Sequence, residues 1–558
     1  MDNPTPTQAE DLAGSGAAVA VAHTTSEARE PKPPSAAQRS TTVFFVGLAL
    51  ICAVTTLIGA VPTKIYGHDT FIPLQMGWRL LHGQRPHVDF VSGWGPVWFL
   101  LAALGLIISK HSVDGLGYAN VIMALIVGAW SFALARDRLL PWWRTIFSLF
   151  LAALVTAPYP LGNSPLMSSH AMVYNRYGYA LLGLILLECF EPAGQREGWL
   201  GGLSTGAALS LSLFLKANFF LVGAGVIAVV SLLLRRLDRR RLLGMAAGFL
   251  AVSFVLLAYL RFDLLAMLRD LHMAGAARSA LLDREAIVAK FTSRPSALLG
   301  VVLFAWVSAL VFGNRLPRWR GWKLPLIAAF LFAADMGLLL TNAQWDVFPI
   351  CALFAMLMMN ELMQDERTRP ATGASTRRPA YAGALCLGAL LFVPMFTSDL
   401  AGLVYGLWSK ETAPDGNEVV LLTAPNLAPL VLYDGHVTRS NGRVLATYVN
   451  DGVALLERES RPDETILSMD MTNPFPYALE RRPPHGGVAS PTYHFNIDDE
   501  HRPSYDEFFG DADIVMVPKH PALDDFYYKD FLRAYEPGIQ QRYYLAAQSD
   551  WWWMYRRR

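Results

Sequence analysis

Residues 66–96 read YGHDTFIPLQMGWRLLHGQRPHVDFVSGWGP and lie between two apolar runs, Val43 to Pro62 and Trp94 to Ser109. The first run is long enough to cross a hydrocarbon core of about 30 Å at about 1.5 Å per helical residue. Asp69 therefore falls just beyond a first membrane span, next to His68. The pattern then predicts a short helix ending in Leu80-Leu81-His82-Gly83, a turn at Pro86-His87-Val88-Asp89-Phe90, and a Gly95-Pro96 break before the second apolar run.

Composition agrees with a membrane reading. Of 558 residues, 53% are hydrophobic and only 17% charged, against about 25% charged in soluble domains. That deficit excludes a disordered chain and an ordinary soluble enzyme. A net charge of +1 offers no electrostatic basis for binding nucleic acid. Cys52, Cys189, Cys351 and Cys386 all sit in apolar stretches, with no CxxC spacing, so neither a disulfide framework nor a cysteine metal site is expected. The fold class is an α-helical polytopic membrane protein.

Ten more apolar runs read as spans: 115–135, 145–161, 176–191, 199–215, 217–234, 243–260, 296–313, 324–341, 346–362 and 380–398, eleven with the first. Basic residues gather in four connections. These hold Arg136, Arg138 and Arg144; Arg235, Arg236, Arg239, Arg240 and Arg241; Arg315, Arg318, Arg320 and Lys323; and Arg367, Arg369, Arg377 and Arg378. The positive-inside bias places all four, and the N-terminus, in the cytoplasm. Segments 63–114, 162–175, 262–295 and 399–558 are then external. Counting Trp94 to Ser109 as a span would invert every later basic loop. It is expected instead as a juxtamembrane helix on the outer face, inside the external loop 63–114.

The chain thus divides into three parts. Residues 1–40 are rich in Ala, Pro, Thr, Ser and Glu, too poor in large apolar side chains to bury a core, and are expected to be a disordered cytoplasmic tail. Residues 41–398 form the transmembrane unit. From 399 to 558 the apolar runs shorten to strand length at Glu418–Leu422, Thr465–Met471 and Ile514–Val517, with a helical stretch at Asn441–Glu459. This predicts a soluble external α/β domain, without a phosphate loop, a GxSxG or zinc spacing. Trp551, Trp552 and Trp553 are expected in its last buried strand.

The quoted stretch resembles the first external loop of the GT-C fold, the integral-membrane glycosyltransferases that use polyprenyl-phosphate sugars. The matching elements are Asp69, Trp78 to Gln84, Pro86, Asp89 with Phe90, and Gly95-Pro96. The order of parts, spans followed by an external domain, extends the likeness more weakly over the chain. The resemblance implies a polyprenyl-phosphate sugar donor, a glycan, lipid or protein acceptor, and a lipid bilayer; the Ala/Pro-rich start and the Arg-rich loops, like those of high-GC proteobacterial chains, point to a bacterial inner membrane. It also implies a single displacement with inversion at the sugar. Many members carry two adjacent acids where this chain has His68-Asp69, which leaves a bound divalent metal open.

An acceptor hydroxyl has a pKa far above 7 and needs a carboxylate to take its proton; Asp69 is the candidate base. The departing lipid phosphate needs cations or donors, and Arg79, Arg85, His170, Arg176 and Lys216 are the candidates. His68 and Asp89 are further loop candidates. Tyr174, Asn175 and Tyr177 suit stacking and hydrogen bonding to a sugar, and Asn342, Gln344 and Asp346 form a short external turn. Each has a plainer alternative. Asp69 could cap the following helix, Asp89 could hold its own turn, Lys216 could snorkel, and the tyrosines could anchor at the interface. Two rival functions fit the same composition: a transporter or flippase of a lipid-linked glycan, and a non-catalytic envelope scaffold.

Overall fold

The computed structural model describes residues 35–190, 198–234, 237–279, 295–312, 322–342, 347–368, 378–412, 418–434, 442–521 and 525–558, with isolated positions between 285 and 292. The tail 1–34, Gln344, Asp346 and most of the Arg-rich connections at 235–236, 313–321 and 369–377 lie outside the described residues.

The first helix, α1 (Ala36–Ile58), opens on a capping box: Ser35 Oγ accepts from the Gln38 N–H and the Gln38 side chain accepts from the Ser35 N–H. The loop after it forms a 3-10 turn, Gly67–Thr70, then α2 (Phe71–Leu81) and α3 (Pro96–Ile108). There follow α4 (Gly115–Leu134), α5 (Pro141–Thr156), α6 (Val173–Glu188), α7 (Gly198–Leu215), α8 (Ala217–Leu233), α9 (Arg239–Tyr259) and α10 (Leu264–Ser279). Four more helices complete the bundle: Pro295–Phe312, Lys323–Thr341, Pro349–Thr368 and Arg378–Glu411. Each expected span coincides with one of these helices. Six of the helices are long and apolar enough to cross a membrane by length and composition. The last helix runs on to Glu411, past the expected boundary at 398. It has no polar break there, because Asp399 is buried within it.

Close helix contact follows from small residues. Gly202 and Gly206 on α7 face Gly244 and Gly248 on α9, two G-x-x-x-G pairs back to back. A Cβ on Gly206 would lie 2.0 Å from the Met245 carbonyl oxygen, and one on Gly248 would lie 2.1 Å from that of Leu203. The two backbones therefore touch, and no larger residue fits between them.

The polar connections sort to two ends of the bundle. At one end, Arg138 pairs with Glu188 at 2.7 Å and Arg241 donates to the Glu188 carbonyl. Asn360 donates to the Arg138 carbonyl, and Thr145 to that of Ser40. At the other end, Lys410 donates to the Ile58 carbonyl, Asp114 accepts from the Ala60 N–H, and Lys216 meets Asn342. Both ends of α3 lie at this second end. Gly95 donates to the Leu215 carbonyl, while Val113, just past α3, donates to that of Asn426. So α3 does not cross the bundle. Its 13 residues would span only about 20 Å.

In the C-terminal domain, β1 (Glu418–Val420) pairs antiparallel with β2 (Leu432–Asp434). A second sheet holds β3 (Ile466–Ser468), β4 (Ile514–Pro518), β5 (Tyr543–Gln548) and β6 (Trp552–Arg557) in the order β3-β4-β6-β5. Only β3 and β4 run parallel. The helix Gly442–Glu459 turns the stripe Leu445, Val449, Val453 and Leu456 inward. Trp552 lies fully buried in β6, with its Nε1–H donating to the Tyr448 carbonyl.

This domain is docked on the first loop rather than tethered beside it. Trp78 Nε1 donates to the Arg481 carbonyl, Asn473 N–H donates to Gln75 Oε1, and Val91 N–H donates to the Gly487 carbonyl. The turn at 85–90 has a twin at 492–497 inside the domain. In each, a histidine holds a left-handed backbone (His87 φ 67°, His494 φ 63°). An Asp or Asn two residues later accepts from the N–H four positions back. In each, the histidine ring meets an aspartate on a neighbouring helix at 3.0 Å.

Candidate functional site

Asp69 sits in the 3-10 turn, between left-handed Tyr66 (φ 51°) and the start of α2. No side chain caps α2, so Asp69 is not held by the helix N–H groups. Its carboxylate lies 3.3 Å from Nε2 of the buried His68 and keeps 15% side-chain exposure. One turn on, Pro73 borders a cavity lined also by Trp98, Asn120, His170, Val173 and Tyr177; it has room for about one water molecule.

His170 is held differently from the expectation. Its Nε2 accepts the Val61 N–H at 2.8 Å. Burial drives the imidazole down to about 3, against a small opposing pull from Asp114. At this nitrogen the ring accepts rather than donates, and it ties two loops together.

The chain breaks between α7 and α8 at Lys216, whose backbone is extended. Gly95 reaches this break so closely that a Cβ there would lie 2.0 Å from the Phe214 carbonyl oxygen. Lys216 Nζ donates to Asn342 Oδ1 at 2.5 Å and stands 4.7 Å from the centre of the Tyr174 ring. Asn218 Nδ2 donates to Asn342 Oδ1 and to Thr341 Oγ1. Tyr174 packs on Trp98 at 4.8 Å and on Trp94 at 5.7 Å. Trp94 Nε1, Asn342 Nδ2 and both polar atoms of the Asn175 side chain are buried without a hydrogen-bond partner. Such orphan donors cost about 1–3 kcal/mol each. An ammonium with unmet N–H donors and an aromatic wall beside it suits a phosphoryl group that carries a sugar.

Two of the candidate cations, Arg79 and Arg176, are buried and bond to the fold. Arg79 donates to Gln84 Oε1 and to the Pro484 and Gly486 carbonyls. Burial pulls its guanidinium down to about 10. It clamps the C-terminal domain to α2. Arg176 pairs with the buried Asp399 at 2.9 Å and also donates to the Leu154 and Tyr159 carbonyls. Tyr159 donates its hydroxyl to the same Asp399 oxygen. Both guanidiniums bond to the fold, Arg79 with its Nε–H left without a partner. Arg85 is half-buried, with its guanidinium 5.9 Å from the Tyr259 ring centre. Asp89 accepts the Arg85 N–H at 2.7 Å and faces His485 at 3.5 Å, so it holds its own turn.

Sequence reasoning missed Trp94, Trp98, Asp270, Asp335 and Asp399. Asp335 accepts from the Ile350 and Cys351 N–H groups and caps the helix Pro349–Thr368 from a neighbouring helix. A lone carboxylate in an apolar run is the signal that could have found Asp335 and Asp399. As for a metal, His68 and Asp69 supply two groups. Among the described residues no set of three His, Cys, Asp or Glu side chains is placed to hold an ion.

Fold and site together define a polytopic membrane protein whose acid, ammonium and aromatic wall gather at the end of the bundle that carries the C-terminal domain. No family model matches the chain, and no curated protein does. Among solved structures it is similar to ArnT from Cupriavidus metallidurans in the apo state, at 13% identity, with 92% of this chain and 98% of that one covered and a TM-score of 0.48. It is also similar to the same protein bound to undecaprenyl phosphate, at 13% identity, the same coverage and a TM-score of 0.41.

Proposed function

We propose that the chain is a membrane glycosyltransferase that moves a sugar from a polyprenyl-phosphate donor to a cell-envelope acceptor. We place the end bearing Arg138 and Arg241 in the cytoplasm of a bacterial inner membrane, and the site with the C-terminal domain on the external face. The reading rests on a continuous path of contacts. Pro73, one turn from Asp69, shares a cavity wall with Trp98; Trp98 packs on Tyr174; and Tyr174 carries Lys216 over its ring. A base, a sugar platform and a phosphate cation then follow one another in the order that a displacement needs.

In this reading Asp69 takes the proton of the acceptor hydroxyl as the new C–O bond forms. The bond from the sugar carbon to the phosphate oxygen breaks on the opposite face, with inversion. The polyprenyl phosphate leaves carrying the electron pair, and Lys216 with the N–H groups of Trp94 and Asn342 holds it. Asn175 offers a donor and an acceptor to the sugar hydroxyls. His68 orients the Asp69 carboxylate.

The test is transfer in proteoliposomes supplied with polyprenyl-phosphate hexoses and pentoses, read by mass spectrometry of an envelope-lipid acceptor pool. Asp69→Asn should lose about 10²–10⁴-fold in turnover while keeping its unfolding midpoint. Full turnover in a folded Asp69→Asn would remove the base assignment. Product absent with every donor in the unaltered chain would remove the reading itself.

A further inference from the structure

Helix α10 has two faces with opposite character. On one, Asp270 is buried, and a single carboxylate oxygen accepts from His87 Nδ1 and from the Ser92 N–H, each at 3.0 Å. Met267 and Ala277 are buried beside it, and Ala274 lies against Gly93. This face braces the loop that carries Trp94 and Gly95.

The other face is exposed, and its chemistry changes along its length. Leu264, Leu265 and Leu268 come first, with Leu265 80% exposed. Arg269, His272 and Gly275 follow on the same exposed side. Arg269 reaches Glu507 of the C-terminal domain at 3.0 Å. The apolar part is continuous with the bundle. Arg261 and Phe262 turn the chain sharply in left-handed conformations, and the Phe262 ring packs on Phe254 of α9 at 5.5 Å. Phe254 stands beside Val255 and one turn beyond Leu250 among the exposed side chains of a helix apolar enough to cross a membrane.

We propose that the first half of α10 is embedded in the bilayer leaflet next to the C-terminal domain, with Phe262, Leu264, Leu265 and Leu268 among the acyl chains. The helix then leaves the leaflet at a slope and becomes polar where it meets the C-terminal domain. The partner is the lipid surface itself. Three exposed leucines and a phenylalanine beside the exposed apolar face of a spanning helix, with Arg261 and Asp263 exposed at the junction where headgroups would lie, match the chemistry of an interfacial segment. One helix thus touches lipid on one side and, through Asp270, fixes the aromatic wall of the candidate site on the other.

The test places a benzophenone side chain at Leu250, Leu265, Leu268, His272 or Gly275 of the full chain, in vesicles of phosphatidylethanolamine and phosphatidylglycerol. Adducts are identified by mass spectrometry after illumination. Leu250, on the exposed face of α9, sets the full yield of lipid adduct. Positions 265 and 268 should approach that yield and exceed 272 and 275 by about tenfold, as burial among acyl chains requires. Lipid adducts at 265 and 268 no higher than at 275 would overturn the proposal. So would adducts joining two copies of the chain, which would assign this face to self-association.

Discussion

His170 makes the stability of the fold depend on pH in a direction that can be worked out. Its ring nitrogen accepts the Val61 N–H, and burial lowers its pKa from 6.5 to about 3. The folded state therefore refuses a proton that the unfolded chain accepts below pH 6.5. A lowered folded value in a base means that stability is intact above the unfolded value and falls as the pH drops below it. At pH 5 the folded imidazole is still neutral while the unfolded one is charged. The unfolded state gains 1.5 pH units at about 1.4 kcal/mol each, or about 2 kcal/mol, relative to pH 7.5. His170→Gln removes the titration and keeps a side-chain acceptor for the Val61 N–H. The assay is SDS-induced unfolding of the purified chain in mixed micelles at pH 7.5 and 5.0, for both proteins. Other titrating groups contribute equally to the two and cancel. The unaltered chain should lose about 2 kcal/mol more than His170→Gln on acidification. Equal losses would mean that the imidazole is charged in the fold, and the geometry at Val61 would then have to be wrong.

Further outcomes follow from the same contacts. Arg176→Met leaves the buried Asp399 carboxylate with only the Tyr159 hydroxyl; stability should fall by about 3–5 kcal/mol, read in the same unfolding assay, with Asp399→Asn on that background restoring part of it. Gly206→Leu drives a side chain into the Met245 carbonyl, and should force α7 from α9 with loss of the folded, monodisperse peak on size-exclusion chromatography. Lys216→Met should leave the unfolding midpoint in place. Loss of one charge-assisted contact of about 1.5–3 kcal/mol would lower turnover of a polyprenyl-phosphate donor roughly tenfold to a hundredfold. Lys216→Met with unchanged turnover would remove Lys216 from the donor site.

The spans were legible because a bilayer imposes length and apolarity on any helix that crosses it, whatever its partners. The helix Lys323–Thr341 was expected at 324–341 for this reason alone. Keeping α3 from crossing the bundle needed only parity. One extra crossing would have inverted every Arg-rich loop, and the observed ends of α3 at Leu215 and Asn426 agree. Strands β1, β3 and β4 were legible because Val, Ile, Leu and Met runs bounded by polar residues have few other uses, whereas β2 and β5 carry no such run and were not expected. What stayed hidden were contacts between distant positions. Nothing local to Arg176 indicates that Asp399 will face it, and nothing local to His87 indicates Asp270. The G-x-x-x-G spacings on α7 and α9 were present in the sequence. Their meaning depends on which two helices meet.

The arginines show why the partners of a cation are hard to read from its position in the chain. A guanidinium has five N–H donors and no acceptor, and backbone carbonyls can satisfy most of them. An arginine in a polar loop is therefore as easily a clamp as a ligand group. Arg79 shows this with its bonds to Pro484 and Gly486, and Arg176 with its bonds to Leu154 and Tyr159. An ammonium on a flexible stem has three donors and a compact charge, and the fold gives Lys216 a side-chain amide and an aromatic face. Beside it, donors on Trp94 and Asn342 remain unmet. A cation that binds the protein's own carbonyls has given most of its directional capacity to the fold, although Arg79 keeps one unmet N–H at Nε. One that stands beside unmet donors of the same polarity is placed to share an anion with them. That distinction, rather than charge or position along the chain, separates Lys216 from Arg79 and Arg176. Their variants should diverge accordingly: Arg79→Met and Arg176→Met in unfolding, Lys216→Met in turnover.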